Sequence, residues 1–235
     1  MVPKKWKSIV GTLRRTTYAE DGIIASRNND FLFSGKFARA YASGKATGSW
    51  GDMDLRWRVY VCCWAGQHAM SLPGDFVECG VNRGGMASAV MQYTTFAESD
   101  KKFYLLDTYC GIPEEMKSSS APLDFDYPDC YDDVCKTFSH VPNARIVRGA
   151  IPSTLHKVGS QQIAYLSLDM NSSNPEIAAA EFFWDKIVGG GVIVLDDYCY
   201  SEHFRDQKLA FDRLSHRISA EVLALPTGQG IIFKP

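Results

Sequence analysis

The sequence predicts an α/β protein with a Rossmann-like sheet of seven strands, five parallel and two forming a C-terminal antiparallel hairpin. Helices flank this sheet, and a helical extension precedes it. Three observations lead there. From Asp75 onward, short apolar runs alternate with helix-patterned stretches. Those runs are apolar nearly throughout, as parallel strands covered on both faces must be. The last two runs are joined only by "PTGQG", and a parallel crossover needs a dozen residues or more.

The elements follow in chain order. The opening "KKWKSIVGTLRR" is basic and reads as a solvated helix or frayed end that is able to touch an anionic surface. Its apolar run is too short for a signal-peptide core or a membrane span. Residues 1–70 read as mostly helical, with Gly/Ser breaks at "YASGKATGSWGDMD", and form an N-terminal extension or lid. Within it "DLRWRVYVCCWAGQHAM" sets Leu55, Val59, Cys62, Cys63 and Gly66 on one helical stripe, a packing face or a dimer surface. Residues 71–235 form the sheet domain. Its strands are "DFVEC" (75–79), "KFYLLD" (102–107), "ARIVR" (144–148), "IAYLSLD" (163–169), "GVIVLD" (191–196), "EVLAL" (221–225) and "GIIFK" (230–234).

Two helices have readable ends. "SNPEIAAAEFFWDKI" offers Asn174 as N-cap, Pro175 at the first position and Glu176 in the first turn. Ile177, Ala180, Trp184 and Ile187 make its inward stripe, and the glycines at 189–191 end it. "SEHFRDQKLAFDRLSHRI" repeats the pattern, with Ser201 as cap and Phe204, Phe211, Leu214 and Ile218 facing in.

Composition narrows the function classes. Of the 235 residues 46% are hydrophobic and 22% charged, as in a soluble globular protein, and the net charge of −2 argues against a nucleic-acid binder. Seven cysteines without a CxxC pair and its partner residues suggest neither a disulfide framework nor a zinc site. Reduced thiols in the cytoplasm are the simplest reading.

In such a sheet, ligands gather at the carboxyl ends of the strands where strand order reverses. The first strand of the domain ends in "ECGVNRGG", Glu78 to Gly85, directly before a helix. Gly80 permits a tight turn, and Gly84 and Gly85 let a ligand approach a helix N-terminus. The spacing is neither a Walker A loop nor GxGxxG, and a purely structural glycine turn is the alternative. The second strand ends in Asp107, where a ribose is usually held, with a helix cap or turn aspartate as the alternative. Loop and acid together favour a nucleoside cofactor, either a dinucleotide or S-adenosylmethionine, and the terminal hairpin points to the second. Candidate cofactor contacts are Glu78, Gly80, Val81, Asn82, Arg83, Gly84, Gly85, Asp107, Thr108, Gly149, Ala150 and Asp169.

Three carboxylates close the next two strands: Asp169 in "YLSLDMN" and Asp196 and Asp197 in "GVIVLDDY". If these strands are neighbours, about 4.8 Å apart, the acids repel unless one pKa rises or a cation sits between them. An oxygen-only donor set suits Mg²⁺, Mn²⁺ or Ca²⁺. Two separate helix caps are the alternative.

Taken together, "GDFVECGVNRGG", "YLLDTYCGIPE", "SLDMN" and "GGGVIVLDDY" resemble the TylF/macrocin O-methyltransferase family of class I S-adenosylmethionine-dependent enzymes, from about Trp57 through Lys234. The resemblance implies a Mg²⁺-dependent methyl transfer to a hydroxyl, usually on a sugar. It implies Glu78 and Gly80 at the methionine end of the donor, Asp107 on its ribose, and Gly149–Ala150 near its adenine. Asp169, Asp196 and Asp197 would hold the metal. The family pattern D-x-D-x-Y reads Asp169-Met170-Asn171-Ser172-Ser173 here. Asn171 can orient an acceptor or ligate a metal, but it cannot take a proton as a carboxylate does. His203 and Tyr198 are then the candidate bases. The acidic, aromatic stretch 118–134 reads as a lid over the acceptor or as a solvated loop.

The expected partners are a small-molecule or glycan acceptor with hydroxyl groups and further copies of the chain, as a homodimer or higher oligomer. A nicotinamide-dependent oxidoreductase and a non-catalytic cofactor-binding protein are the rival readings.

Overall fold

The computed structural model describes residues 15–114 and 127–235. The basic N-terminal stretch and most of the proposed lid lie outside them. The described chain begins with a small hairpin, β1 (Tyr18–Glu20) and β2 (Ile23–Ala25). Glu20 pairs with Ile23 across a two-residue loop in which Asp21 and Gly22 both have positive φ. Those angles are what a type I′ turn requires, and Asp-Gly is its usual sequence. This hairpin corrects the helical reading of the region, where only α1 (Gly35–Lys45), α2 (Arg56–Ala69) and a short 3₁₀ turn at Asp30–Phe33 are helical among the described residues before Leu72.

The main sheet contains β3 (Asp75–Cys79), β4 (Phe103–Asp107), β5 (Ala144–Arg148), β6 (Ile163–Leu168), β7 (Ile187–Leu195), β8 (Leu223–Ala224) and β9 (Gly230–Phe233). Their order is β5-β4-β3-β6-β7-β9-β8. Pairings among the first five are parallel, and β9 runs antiparallel to both β7 and β8. The predicted class and the C-terminal hairpin are therefore present.

Side chains alternate cleanly between two cores. Phe76, Phe103, Leu105, Tyr165, Val192 and Val194 face α1, α2 and α3 (Gly85–Thr94). Val77, Leu106, Leu166, Leu168, Ile193 and Leu195 face α5 (Ser173–Trp184) and α6 (Arg205–Ile218). The eight-residue α4 (Tyr131–Phe138) packs Val134 and Phe138 into the first core. Truncating one of the fully buried rings, such as Phe76, would cost about 3–5 kcal/mol. The predicted stripe of α2 is buried as a whole, against the sheet and α3, and it carries one charged residue inward, Arg58.

Two boundaries differ from expectation. Helix α5 starts at Ser173 behind Ser172 as N-cap, so Pro175 lies inside the first turn. Asn171, at φ 53, has already turned the chain. The glycines at 189–191 do not end this helix, which stops at Trp184; they run within β7. Ile163 pairs with Ile187 but Tyr165 with Val192, so the glycines fill an irregularity in the ladder. Buried positions of α5 are Pro175, Glu176, Ala179, Ala180 and Phe183, while Ile177 and Trp184 are only partly covered. In α6, Ser201 precedes a 3₁₀ turn and the helix proper starts at Arg205.

Candidate active site

The chain runs outward from β3 to β4 and β5, then returns across the sheet to β6, so strand order reverses between β3 and β6. In open α/β sheets the ligand crevice lies at such a point, at the carboxyl ends. The two loops that leave these strands touch. The Asp169 amide donates to the Cys79 carbonyl at 2.9 Å. Gly80, at φ +88, sits so close that a Cβ on it would lie 1.7 Å from the Asp169 carbonyl oxygen. No other residue fits there without moving backbone.

Asp107 fixes the glycine turn. Its Oδ2 accepts the amides of Val81 and Asn82 at 2.6 and 2.7 Å, and its Oδ1 accepts the Tyr109 amide at 2.7 Å and the Thr108 hydroxyl at 3.2 Å. A carboxylate has about four acceptor positions, and all four are met within the protein. The Gly149 amide donates to the Asp107 carbonyl at 2.8 Å, which brings Gly149 and Ala150 to the same rim. Gly84 ends the turn in left-handed conformation, and Ser49 Oγ accepts the Gly85 amide at 2.9 Å. Arg83 turns outward to Asp133 at 3.2 Å. Glu78 is buried at the end of β3, with one carboxylate oxygen unpartnered. Burial first, and then the charge of Asp169, holds its pKa well above the usual carboxylate range.

Parallel pairing of β6 with β7, Leu168 opposite Leu195, brings the three acids together. One carboxylate oxygen from each of Asp169, Asp196 and Asp197 lies within 4.8 Å of the others. Arg58 reaches them from α2. Its guanidinium pairs with Asp196 and lies 3.2 Å from Asp197 Oδ1. Gln229, in the turn of the terminal hairpin, donates to Asp196 Oδ1 at 2.8 Å. Asp196 is thus engaged, whereas Asp197 Oδ2 is buried without a hydrogen-bond partner among the described residues. The pKa of Asp169 is pushed up to about 7 by burial and by Asp197, with Arg58 opposing. Asp197 is also raised, by burial against the pull of Arg58. With all three ionised, the carboxylates against one guanidinium would leave two negative charges at the rim.

Further groups line this half. Glu176 Oε1 accepts the Met170 amide at 2.9 Å and Gln207 Nε2 at 2.8 Å, which pins the turn after Asp169. Asn171 Nδ2 lies 3.5 Å from the Tyr127 hydroxyl. The Tyr127 pKa rises to about 12 through burial and through Asp169, Asp197 and Asp107. Tyr200 lies with its ring 4.6 Å from the Arg58 guanidinium carbon and its hydroxyl 3.4 Å from Asp21 Oδ1.

The two candidate bases lie in different surroundings. Tyr198 packs into the opposite core, its hydroxyl 2.5 Å from Asp212 of α6. His203 is exposed on the 3₁₀ turn ahead of α6. Sequence patterning missed Arg58, Gln229, Glu176, Tyr127 and Asp21. Arg58 had a signal, since it interrupts the apolar stripe of a buried helix. The others come from distant segments that only the fold unites.

A family model described as "Macrocin-O-methyltransferase (TylF)" matches residues 59–227. Mycinamicin III 3''-O-methyltransferase of Micromonospora griseorubida is 22% identical over 187 residues, covering 69% of each chain. The solved O-methyltransferase NovP superposes with a TM-score of 0.62 at 18% identity, over 75% of this chain and 79% of its own. The calicheamicin methyltransferase CalS11 gives 0.61 at 14% identity, over 74% and 77%.

Proposed function

The chain belongs to the macrocin O-methyltransferase family and is an O-methyltransferase; from that premise we propose that it transfers the methyl group of S-adenosylmethionine to a hydroxyl of a sugar or glycosylated metabolite, with a divalent cation, Mg²⁺, at the rim. The observation that carries this reading is the joining of two half-sites at one crevice. A glycine turn at a helix N-terminus sits against the backbone of Asp169, whose side chain belongs to the three-acid cluster. Relatives of both kinds support the acceptor class: one is named for the 3''-hydroxyl of a mycinamicin, and CalS11 is also titled a TDP-rhamnose 3'-O-methyltransferase.

The donor set fits a hard cation. It is all oxygen, the two negative charges left when the three acids are ionised match one divalent ion, and Asp197 Oδ2 is a buried acceptor without a partner among the described residues. Asp169 and Asp197 would hold the ion, with Asp196 tied to Arg58 and Gln229 as its anchor. Such an ion supplies Lewis acidity toward an acceptor hydroxyl and a template for neighbouring oxygens.

The protein's own residues do the rest by alignment, the main requirement of an in-line displacement. The turn from Gly80 to Gly85 would bring the donor close to its backbone and to the N-terminus of α3, its amides at 80, 81, 82, 84 and 85 being bonded within the protein. Asp107 acts by holding that turn, since its oxygens are taken by protein donors. Glu78 lies beneath, buried, where it would face the donor's methionine end. Glu176 keeps the 169–171 turn in place, and Asn171 with Tyr127 presents polar groups to the acceptor.

The test is calorimetric and chemical. S-adenosylhomocysteine should bind and NAD should not. Methyl transfer to a panel of nucleotide sugars and glycosides should be abolished by EDTA and restored by Mg²⁺. Tight NAD binding, or transfer that is indifferent to EDTA, would overturn the donor or the cation respectively.

A further inference from the structure

Methyl transfer to a hydroxyl releases a proton, whereas Tyr198 packs toward α6 and His203 is exposed on a surface turn. A carboxylate comes instead from the opposite end of the chain. Asp21 occupies the turn of the β1–β2 hairpin, where Asp tolerates the positive φ that the turn demands. Its Oδ1 accepts from the Tyr200 hydroxyl at 3.4 Å. The Tyr200 ring in turn lies against Arg58, the partner of Asp196 and Asp197. Its Oδ2 is buried and has no hydrogen-bond partner among the described residues. The tight turn is thus linked to the acid cluster through Tyr200 and Arg58, with one carboxylate oxygen buried and unpartnered among the described residues.

We propose that Asp21 is the carboxylate that receives the proton of the acceptor hydroxyl, and that the hairpin carrying it walls the acceptor side of the crevice. This rests on the methyl transfer proposed above. In the step, a lone pair of the acceptor oxygen forms the bond to the methyl carbon. The carbon–sulfur bond breaks with its electron pair staying on sulfur, which becomes a neutral thioether. The hydroxyl proton passes to Asp21 Oδ2 and then to water. The charged and titratable groups facing Asp21 are Arg58 from α2, Asp197 and Tyr200 from the segment after β7, Tyr18 of β1 and Tyr41 of α1. Burial raises the Asp21 pKa most, Asp197 adds to the rise, and Arg58 and Tyr200 oppose it. The net direction is upward, which makes the carboxylate a better base.

The experiment compares wild type, Asp21→Asn, Asp21→Glu and Tyr200→Phe as full chains. Binding of S-adenosylhomocysteine and thermal midpoints are measured first. Then kcat and KM are measured against pH on the nucleotide-sugar panel with Mg²⁺. Asp21→Asn is expected to bind S-adenosylhomocysteine as wild type does, to lose kcat about 100-fold or more, and to lose the acid limb of the pH profile. Asp21→Glu should recover part of the rate. Tyr200→Phe, which leaves the carboxylate in place, should lose only several-fold. If Asp21→Asn keeps both kcat and the acid limb, the proposal is overturned. So it is if Tyr200→Phe matches the loss, because Asp21 would then merely anchor the hairpin. A wild type that binds S-adenosylhomocysteine but methylates nothing in the panel also overturns it. A wild type that fails to bind S-adenosylhomocysteine overturns the proposed function itself.

Discussion

The two halves of the crevice are built on opposite electrostatic terms. On the glycine side, one carboxylate, Asp107, meets four protein donors and braces the turn from Val81 to Tyr109. On the acid side, three carboxylates share one guanidinium and one amide, and an oxygen of Asp197 has no partner. The first is a finished scaffold, rigid before any ligand arrives. The second carries excess charge that folding alone does not neutralise. Buried charge without compensation is expensive, which is why the proposed cation is assigned to this side.

Four experiments break or sharpen that contrast. The largest effect belongs to Arg58→Ala, which strips the acid side of the one cationic partner it has among the described residues. A loss of about 3–5 kcal/mol is expected, read by urea denaturation, and Mg²⁺ should restore part of it. An equal loss with no response to Mg²⁺ would mean that the acids do not bind the ion. Asp107→Asn attacks the finished side, since its amide turns N–H groups toward backbone donors. A loss of about 1.5–3 kcal/mol is expected, along with weaker S-adenosylhomocysteine binding and unchanged Mn²⁺ affinity. Unchanged donor affinity would dissolve the bracing role.

Asp197→Asn should do the reverse. Mn²⁺ affinity measured by titration should drop at least about tenfold, while the ion-free protein melts no lower than wild type because a repelling charge has gone. The smallest effect concerns Glu176, whose pKa is raised from 4.5 to about 8, chiefly by burial. A carboxyl raised on folding favours the folded state while protonated, and that contribution disappears as pH climbs through the folded value. The melting temperature should therefore decline between pH 4.5 and about 8, and Glu176→Gln should flatten the decline. A profile unaltered by this substitution would locate the pH dependence elsewhere.

Much of the crevice was legible because it lies where strands end. Gly80, Asp107, Asp169, Asp196 and Asp197 each follow an apolar run directly, so strand periodicity alone puts them at one edge. The base candidates were not legible in the same way. His203 and Tyr198 follow the acid pair closely in sequence, but the chain turns away after Asp197, and Tyr198 packs toward α6 instead. The stretch "EDGII" did contain a hairpin signal, Asp-Gly between β-prone residues. Its strands are only three residues long, and the helix-favouring context around them hid it.

By itself the sequence determined the sheet, the antiparallel finish and the edge at which the acids emerge. Those follow from side-chain periodicity and loop length, which act over a few residues. Only the tertiary structure decided what stands beside the acids: Arg58 from 138 residues earlier, Gln229 from the last turn, Tyr127, and Asp21 from the first hairpin. Charge acts through space, and which charges become neighbours is settled by packing two cores against one sheet.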